Sequence, residues 1–215
     1  MQVSLCFAKE VSMAIQTFIF DMGNVLIDYN PDAYTKAFFP NPDDAALATH
    51  VLFEGELWQA LDAGRLTEEE ALPQMLVQLP ERLRKPARAL FYGWQSYVRP
   101  IPETNALAVR LHKAGYGLYI LSNTGVRLHV YSHRIPAFQV MDGAVYSADV
   151  QLVKPDPAIF QTLFARYHLR PQACYFIDDN ADNIAAARGL GVTSFLFTGD
   201  SAALEADIRA HGVHF

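Results

Sequence analysis

Cysteine is scarce in this chain: 2 residues, Cys6 and Cys174, in 215. That excludes a disulfide framework. Cys174 lies in the apolar run "ACYFID" and reads as a core thiol. Such usage fits a reducing compartment, and the expected location is cytoplasmic. Long apolar runs are missing as well. None approaches the roughly 20 residues that span a bilayer, so no membrane partner is expected. Positive charge is in deficit, with 17 Lys and Arg against 23 Asp and Glu, a net charge of −6 and a pI near 5.6. The basic residues are scattered, which gives no electrostatic footprint for nucleic acid. Internal repeats and low-complexity segments are absent. With 51% hydrophobic and 19% charged residues, the chain can bury a sizeable core and does not read as disordered.

The first residues, "MQVSLCFAKEVSMA", lack a signal-peptide pattern: Lys9 and Glu10 stand in the wrong place and no sustained apolar segment follows. Residues 1–14 read as an N-terminal extension. Met13 sits just before the first strand, so translation beginning at Met13, with the first twelve residues a start-site artefact, is the alternative.

What the chain does have is alternation. Ile15 to Asp21 reads as a buried strand ending in a carboxylate. From about Pro31 to Arg99 the pattern is helical with no clear strand. Thr67 and Glu70 form a capping box there, Leu66 and Ala71 a hydrophobic staple, and Pro40, Pro42, Pro73, Pro80 and Pro86 punctuate short helices. From Pro102 helix and strand alternate. A helix ends at Gly115, a strand "YGLYIL" leads to Ser122, another helix follows Thr124, and a strand lies near Ala144 to Tyr146. Asp156 and Pro157 open a helix as N-cap and first residue. Then come the strand "ACYFID", the helix "NADNIAAARGLG", the strand "VTSFLF" and a helix from Ser201 to His211.

This pattern predicts an α/β fold: a Rossmann-like parallel sheet core (15–30 and 100–215) covered on both faces. A small all-helical cap (31–99) is inserted after the first strand. Ligands of open α/β sheets bind beyond the carboxyl ends of the strands. The residues there are Asp21, Ser122, Asn123, Asp178 and Asp179.

Taken singly, each has a plain reading: Asp21 as a turn residue, Asp178 and Asp179 as charges opening a helix, Lys154 as a surface lysine. Together they describe one chemistry. Close carboxylates repel unless a cation intervenes, and oxygen ligands favour Mg²⁺. Ser122 offers a hydroxyl beside the amides expected to open a helix, where phosphate binds. Lys154 adds positive charge, and Pro155 biases it towards extended backbone. A nucleophile, a metal, a phosphate clamp and a lysine are the parts of a phosphoryl-transfer site.

Four stretches, "DMGNV" (21–25), "LSN" (121–123), "KPD" (154–156) and "DDNADN" (178–183), occur in an order and spacing that resemble the haloacid dehalogenase-like hydrolase superfamily. The resemblance covers essentially the whole chain. Within it, the first motif is similar to the "FDLGNV" type of bacterial sugar-phosphate phosphatases of the glucose-1-phosphate kind. It implies an Mg²⁺-dependent phosphatase that hydrolyses small phosphate monoesters, such as sugar phosphates, through an aspartyl-phosphate. By the same resemblance Asp21 is nucleophile and metal ligand, and Ser122 and the Asn123 amide hold the phosphoryl oxygens. Lys154 neutralises nucleophile and phosphate. Asp179 and the Gly23 carbonyl bind Mg²⁺, with Asp178 and Asn183 supporting. The expected partner is a phosphorylated small metabolite, bound by a monomer or homodimer.

One departure stands out. Family phosphatases carry a carboxylate two residues beyond the nucleophile, which protonates the leaving group; here that position is Gly23. General acid catalysis contributes about 10²- to 10⁴-fold, or roughly 3 to 5 kcal/mol of barrier. Asp28, a cap residue or a metal-positioned water are candidate replacements, unless the substrate has a good leaving group or the enzyme is slow. Two rival functions remain, a 2-haloacid dehalogenase and a non-catalytic phosphometabolite-binding protein. Paired Asp178 and Asp179 argue against the first. Intact Asp21, Lys154 and Asp179 argue against the second. Among the cap aromatics Phe38, Phe39, Phe53, Trp58, Tyr92, Trp94 and Tyr97, most are expected in the lid core, with Trp58 and Trp94 candidates for substrate stacking.

Overall fold

The computed structural model describes residues 14–215. The readings on a start at Met13, on the first twelve residues and on Cys6 lie outside them. Among the described residues the strands are β1 (Thr17–Phe20), β2 (Ile27–Asp28), β3 (Arg99–Pro100), β4 (Gly117–Ser122), β5 (Gly143–Tyr146), β6 (Cys174–Asp178) and β7 (Thr193–Leu196). Five of them form one sheet in the order β5-β4-β1-β6-β7, every pair parallel.

Side chains alternate across a strand, and the sheet uses both faces. Phe18, Phe20, Leu118, Ile120, Tyr175 and Ile177 point to one apolar cluster, and Ile19, Leu121, Cys174 and Phe176 to another. The first face is covered by α6 (Pro102–Lys113) and α11 (Ser201–Ala210). The second is covered by α9 (Pro157–Tyr167) and α10 (Ala181–Gly189). Burying a Phe, Ile or Leu there contributes about 1.5–3 kcal/mol. This double cover explains why the central strands are apolar without alternation and why their polar residues collect at one edge.

Between β2 and β3 run α1 (Pro31–Lys36), α2 (Pro42–Thr49), α3 (Glu56–Asp62), α4 (Glu68–Val77) and α5 (Glu81–Gly93). They share a third apolar cluster, with Leu52, Leu72, Met75, Leu90 and Trp94 buried in it. The Thr67–Glu70 capping box forms, with the Glu70 amide donating to Thr67 Oγ1 at 3.3 Å and the Thr67 amide to Glu70 Oε2 at 2.9 Å. β2 and β3, absent from the sequence reading, pair antiparallel where the chain leaves and rejoins the sheet domain. Phe39, Phe53 and Trp94 are buried in this cluster, whereas Tyr92 and Tyr97 are exposed.

Two expectations of local structure need correction. Pro73 and Pro86 do not end helices; they lie inside α4 and α5. Their missing N–H groups would have met the carbonyls of Glu69 and Arg82, which are exposed, so water can serve those carbonyls. No helix opens at Ser122 either. A loop runs over residues 123–127, and the helix that follows, α7 (Leu128–Tyr131), is a single turn. α8 (Ser147–Val150) follows β5. No described helix is long and apolar enough to cross a membrane.

Candidate active site

The carboxyl ends of β1, β4 and β6 bring the expected residues together. Asp21 follows β1 and its amide donates to the Ile177 carbonyl at 2.8 Å. Lys154 is 4% exposed and lies between two carboxylates, donating to Asp21 Oδ1 at 2.7 Å and to Asp178 Oδ2 at 2.6 Å. Carboxylate oxygens of Asp21, Asp178 and Asp179 lie within 4.8 Å of one another. Three carboxylates face one ammonium, so the cluster stays net negative until a proton or cation joins it. Hard oxygen donors at this spacing fit a divalent metal such as Mg²⁺.

The two neighbouring aspartates differ in surroundings. Asp178 is fully buried; Asn183 Nδ2 donates to both its oxygens, at 3.0 and 3.1 Å, and the Asn180 amide donates at 2.8 Å. Burial and then the nearby Asp21 charge raise it to about 6, against the pull of Lys154. Asp179 is exposed and reaches the cavity. Burial of its carboxyl raises its pKa, the hydrogen bond from Asn24 opposes this, and Asp21 adds to the rise. Burial alone would lower the Lys154 ammonium, but the charges of Asp21 and Asp178 outweigh it and hold the group above its ordinary value.

Three residues missed in the sequence hold this arrangement. Asn24 Nδ2 donates to Asp179 Oδ2 at 2.9 Å, tying the loop after β1 to the end of β6. It sits at φ +53°, a left-handed conformation that asparagine tolerates. Ser147 Oγ accepts from the Thr124 amide at 2.8 Å and donates to the Asp62 carbonyl, joining the loop after Ser122 to α3. That bond occupies one amide of the loop expected to open a helix and bind phosphate. Asp62, at the end of α3, is the third: burial raises its carboxyl to about 7, with opposing hydrogen bonding from the Gly125 backbone and the Trp58 side chain. An Asn after Gly in a turn was a legible signal; nothing in the sequence marked Ser147 or Asp62.

Asn123 also does more than the reading assigned. Its side chain accepts from the Lys154 amide at 2.8 Å and donates to the Lys154 carbonyl at 2.9 Å. The Lys154–Pro155 peptide bond is cis. A cavity of about 510 Å³ opens between the sheet edge and α3, the start of α4 and Trp94. Asp21, Gly23, Ser122, Asn123, Lys154, Asp179 and Asn183 line it from below, and Tyr29, Trp58, Asp62 and Trp94 also line it. Asp28 is exposed and does not line it.

A family model described as haloacid dehalogenase-like hydrolase matches residues 15–191. A sesquiterpene phosphatase of Aspergillus oryzae is 24% identical over 192 residues, covering 89% of this chain and 93% of its own. A D-ribitol-5-phosphate phosphatase of Bacteroides thetaiotaomicron is 24% identical over 189 residues, covering 84% and 91%. Among solved structures, a haloacid dehalogenase family enzyme of Bacteroides thetaiotaomicron, crystallised with magnesium and inorganic phosphate, superposes with a TM-score of 0.67 at 18% identity. It covers 87% of this chain and 96% of its own. An L-2-haloacid dehalogenase superposes at 0.70 with 18% identity, covering 92% and 100%. At these identities the structures speak for the fold alone.

Proposed function

Because the chain belongs to the haloacid dehalogenase-like hydrolase family, we propose that it is an Mg²⁺-dependent phosphatase acting on small phosphate monoesters of the sugar-phosphate class. The observation that carries this reading is Lys154 held between Asp21 and Asp178, with Asp179 close by, at the floor of one cavity. In this reading Asp21 attacks phosphorus, the ester oxygen leaves, and water then hydrolyses the aspartyl-phosphate. Ser122 and the Asn123 amide hold the phosphoryl oxygens, and Lys154 offsets their charge. Asp21, the Gly23 carbonyl and Asp179 would hold the metal, with Asp178 and Asn183 behind them. When bound, it neutralises charge between carboxylates and phosphoryl oxygens. Residues 31–99 act as a cap that excludes water and selects the substrate.

The cavity is lined by Tyr29, Trp58 and Trp94 beside the carboxylate floor, and aromatic faces of this kind can stack on the ring of a sugar. The dehalogenase alternative is disfavoured by the same floor, because that chemistry uses no metal and would leave three close carboxylates without the cation that offsets their repulsion.

The test is phosphate release from hexose 1- and 6-phosphates, a pentitol phosphate, an acyl phosphate and farnesyl phosphate, with Mg²⁺ and with EDTA, for wild type and Asp21→Asn. Mg²⁺-dependent release that Asp21→Asn abolishes, with sugar or polyol esters preferred, is the expected result. Chloride release from 2-chloropropionate with no phosphate release would replace the reading by the dehalogenase.

A further inference from the structure

We propose that Asp62, on the cap helix α3, is the proton donor to the leaving group, doing from above the phosphate what Gly23 cannot do from beside the nucleophile. The inference rests on the phosphatase reading. Asp62 lines the same cavity as Asp21, Ser122 and Lys154. Its Oδ1 lies 3.7 Å from where a Cβ on Gly125 would stand, so the carboxyl adjoins the loop that begins at Ser122 and Asn123. It therefore stands on the α3 side of the cavity, and in this proposal the ester oxygen leaves towards that side when Asp21 attacks from the floor.

Its place is built. The Asp62 carbonyl accepts from Ser147 Oγ, which also binds the Thr124 amide, so α3 and the phosphate loop share one anchor. The next residues approach the sheet domain closely: Gln151 Nε2 donates to the Gly64 carbonyl at 3.1 Å. Burial, and to a lesser degree the Asp62 charge, opposes ionisation of the Tyr29 and Tyr131 phenols, which line the same cavity. The other ionisable groups on neighbouring elements are already paired or face solvent. From α4, Glu68 is bound to Arg127. From the turn before α3, Glu54 is bound to His50, and Asp149 on α8 is exposed. Asp62 has no cationic partner among the described residues, and its raised pKa keeps a proton available at neutral pH.

The step balances. Asp21 forms a bond to phosphorus as the phosphorus–ester oxygen bond breaks, and the departing oxygen takes the Asp62 proton. In the second half Asp62, now a carboxylate, takes a proton from the water that attacks the aspartyl-phosphate. Phosphate leaves, and both side chains return to their starting states.

The experiment compares two esters at saturating Mg²⁺. Glycerol phosphate has an alkoxide leaving group that needs a proton; p-nitrophenyl phosphate has a phenolate that does not. Asp62→Asn is expected to lower kcat/KM on glycerol phosphate about 10²- to 10⁴-fold more than on p-nitrophenyl phosphate. Adding Gly23→Asp to that variant is expected to restore the glycerol phosphate rate, since a Cβ at Gly23 meets only Tyr29 Cβ at 3.8 Å. In the wild type, the glycerol phosphate rate should fall above about pH 7 while the p-nitrophenyl phosphate rate does not, a readout that needs no variant to fold. Equal losses on both esters, or the same pH profile for both, overturn the role of Asp62 and leave the phosphatase standing. Absence of wild-type turnover on every ester overturns the phosphatase and this proposal with it.

Discussion

The Asn123 side chain and the Lys154 backbone hold one another by reciprocal hydrogen bonds of 2.8 and 2.9 Å. The pair joins the loop after β4 to the loop before α9, so the ammonium of Lys154 reaches Asp21 and Asp178 from a fixed base. Losing both bonds in Asn123→Ala forfeits about 0.5–1.5 kcal/mol each. The larger effect is on placement, where an error of about 1 Å can cost about 10² in rate. We expect kcat to fall about 10²-fold with a smaller change in KM. Steady-state kinetics decide it, and an unchanged kcat refutes the anchoring role.

Lys154 is also the cation that makes burial of Asp178 tolerable. Removing one partner of a buried pair costs about 3–5 kcal/mol, so Lys154→Met should unfold at markedly lower denaturant. Adding Asp178→Asn removes the stranded charge and should recover part of that loss, a non-additivity typical of direct contact. Urea titrations of the single and double variants measure it. Strictly additive losses would show that the pair is not coupled.

Much of this was legible in the sequence because parallel strands carry a simple code. Phe18, Ile19 and Phe20 are buried on both faces, so the run is continuous and the first polar residue, Asp21, marks the sheet edge. The same rule found Ser122 and Asp178. Short local signals worked too: Thr67 with Glu70, and Asp156 with Pro157. What failed was whatever depends on which way an element faces. Pro73 and Pro86 are tolerated because Glu69 and Arg82 are exposed, and exposure is set by tertiary packing. The single-turn α7 follows a loop amide taken by Ser147, a partner more than 20 residues away. Asp62 ends α3 amid ordinary helical sequence, and only the cavity makes it special.

Asn24 belongs to the stretch "DMGNV" that opens with Asp21. Its bond to Asp179 orients a carboxylate that would bind the metal, and loss of such outer partners typically costs about 10–100-fold in metal affinity or activity. Asn24→Ala should therefore raise the Mg²⁺ concentration needed for half-maximal activity by about that factor. An Mg²⁺ titration of p-nitrophenyl phosphate hydrolysis measures it, and an unchanged midpoint means that the bond does not orient Asp179.

Asp62 makes a prediction about stability that is separate from rate. Burial raises its folded pKa to about 7, whereas the unfolded carboxyl titrates near the usual value of about 3.9. Between these values the folded chain holds a proton that the unfolded chain has lost, so wild-type stability falls as pH rises through this window. Asparagine does not titrate. The Tm of Asp62→Asn minus that of wild type should rise from pH 4 to pH 7 and level off above it. Thermal unfolding in EDTA removes any contribution from bound metal. A difference that is flat with pH would show that the carboxyl ionises as it does in water.

Gly64 follows Asp62 in the connection from α3 to α4, and two properties set it apart. Its φ is +65°, and a Cβ there would lie 2.3 Å from the Ala148 carbonyl oxygen, with that backbone unable to yield freely. Gly115, after α6, has φ +91° but open space around it. The two glycines therefore separate conformation from contact. In Gly115→Ala only the left-handed backbone is penalised, about 1–2 kcal/mol. In Gly64→Ala the same cost is joined by displacement of Ala148, and overpacking of this kind adds about 1–3 kcal/mol. Ala148 adjoins Ser147, whose hydroxyl carries both the Thr124 amide and the Asp62 carbonyl, so the shift reaches the loop after Ser122 and α3 together. Gly64→Ala should lower both Tm and turnover, and Gly115→Ala should lower Tm by less and spare turnover. Equal effects of the two substitutions would mean that the close approach of Gly64 to Ala148 is relieved at no cost to the site.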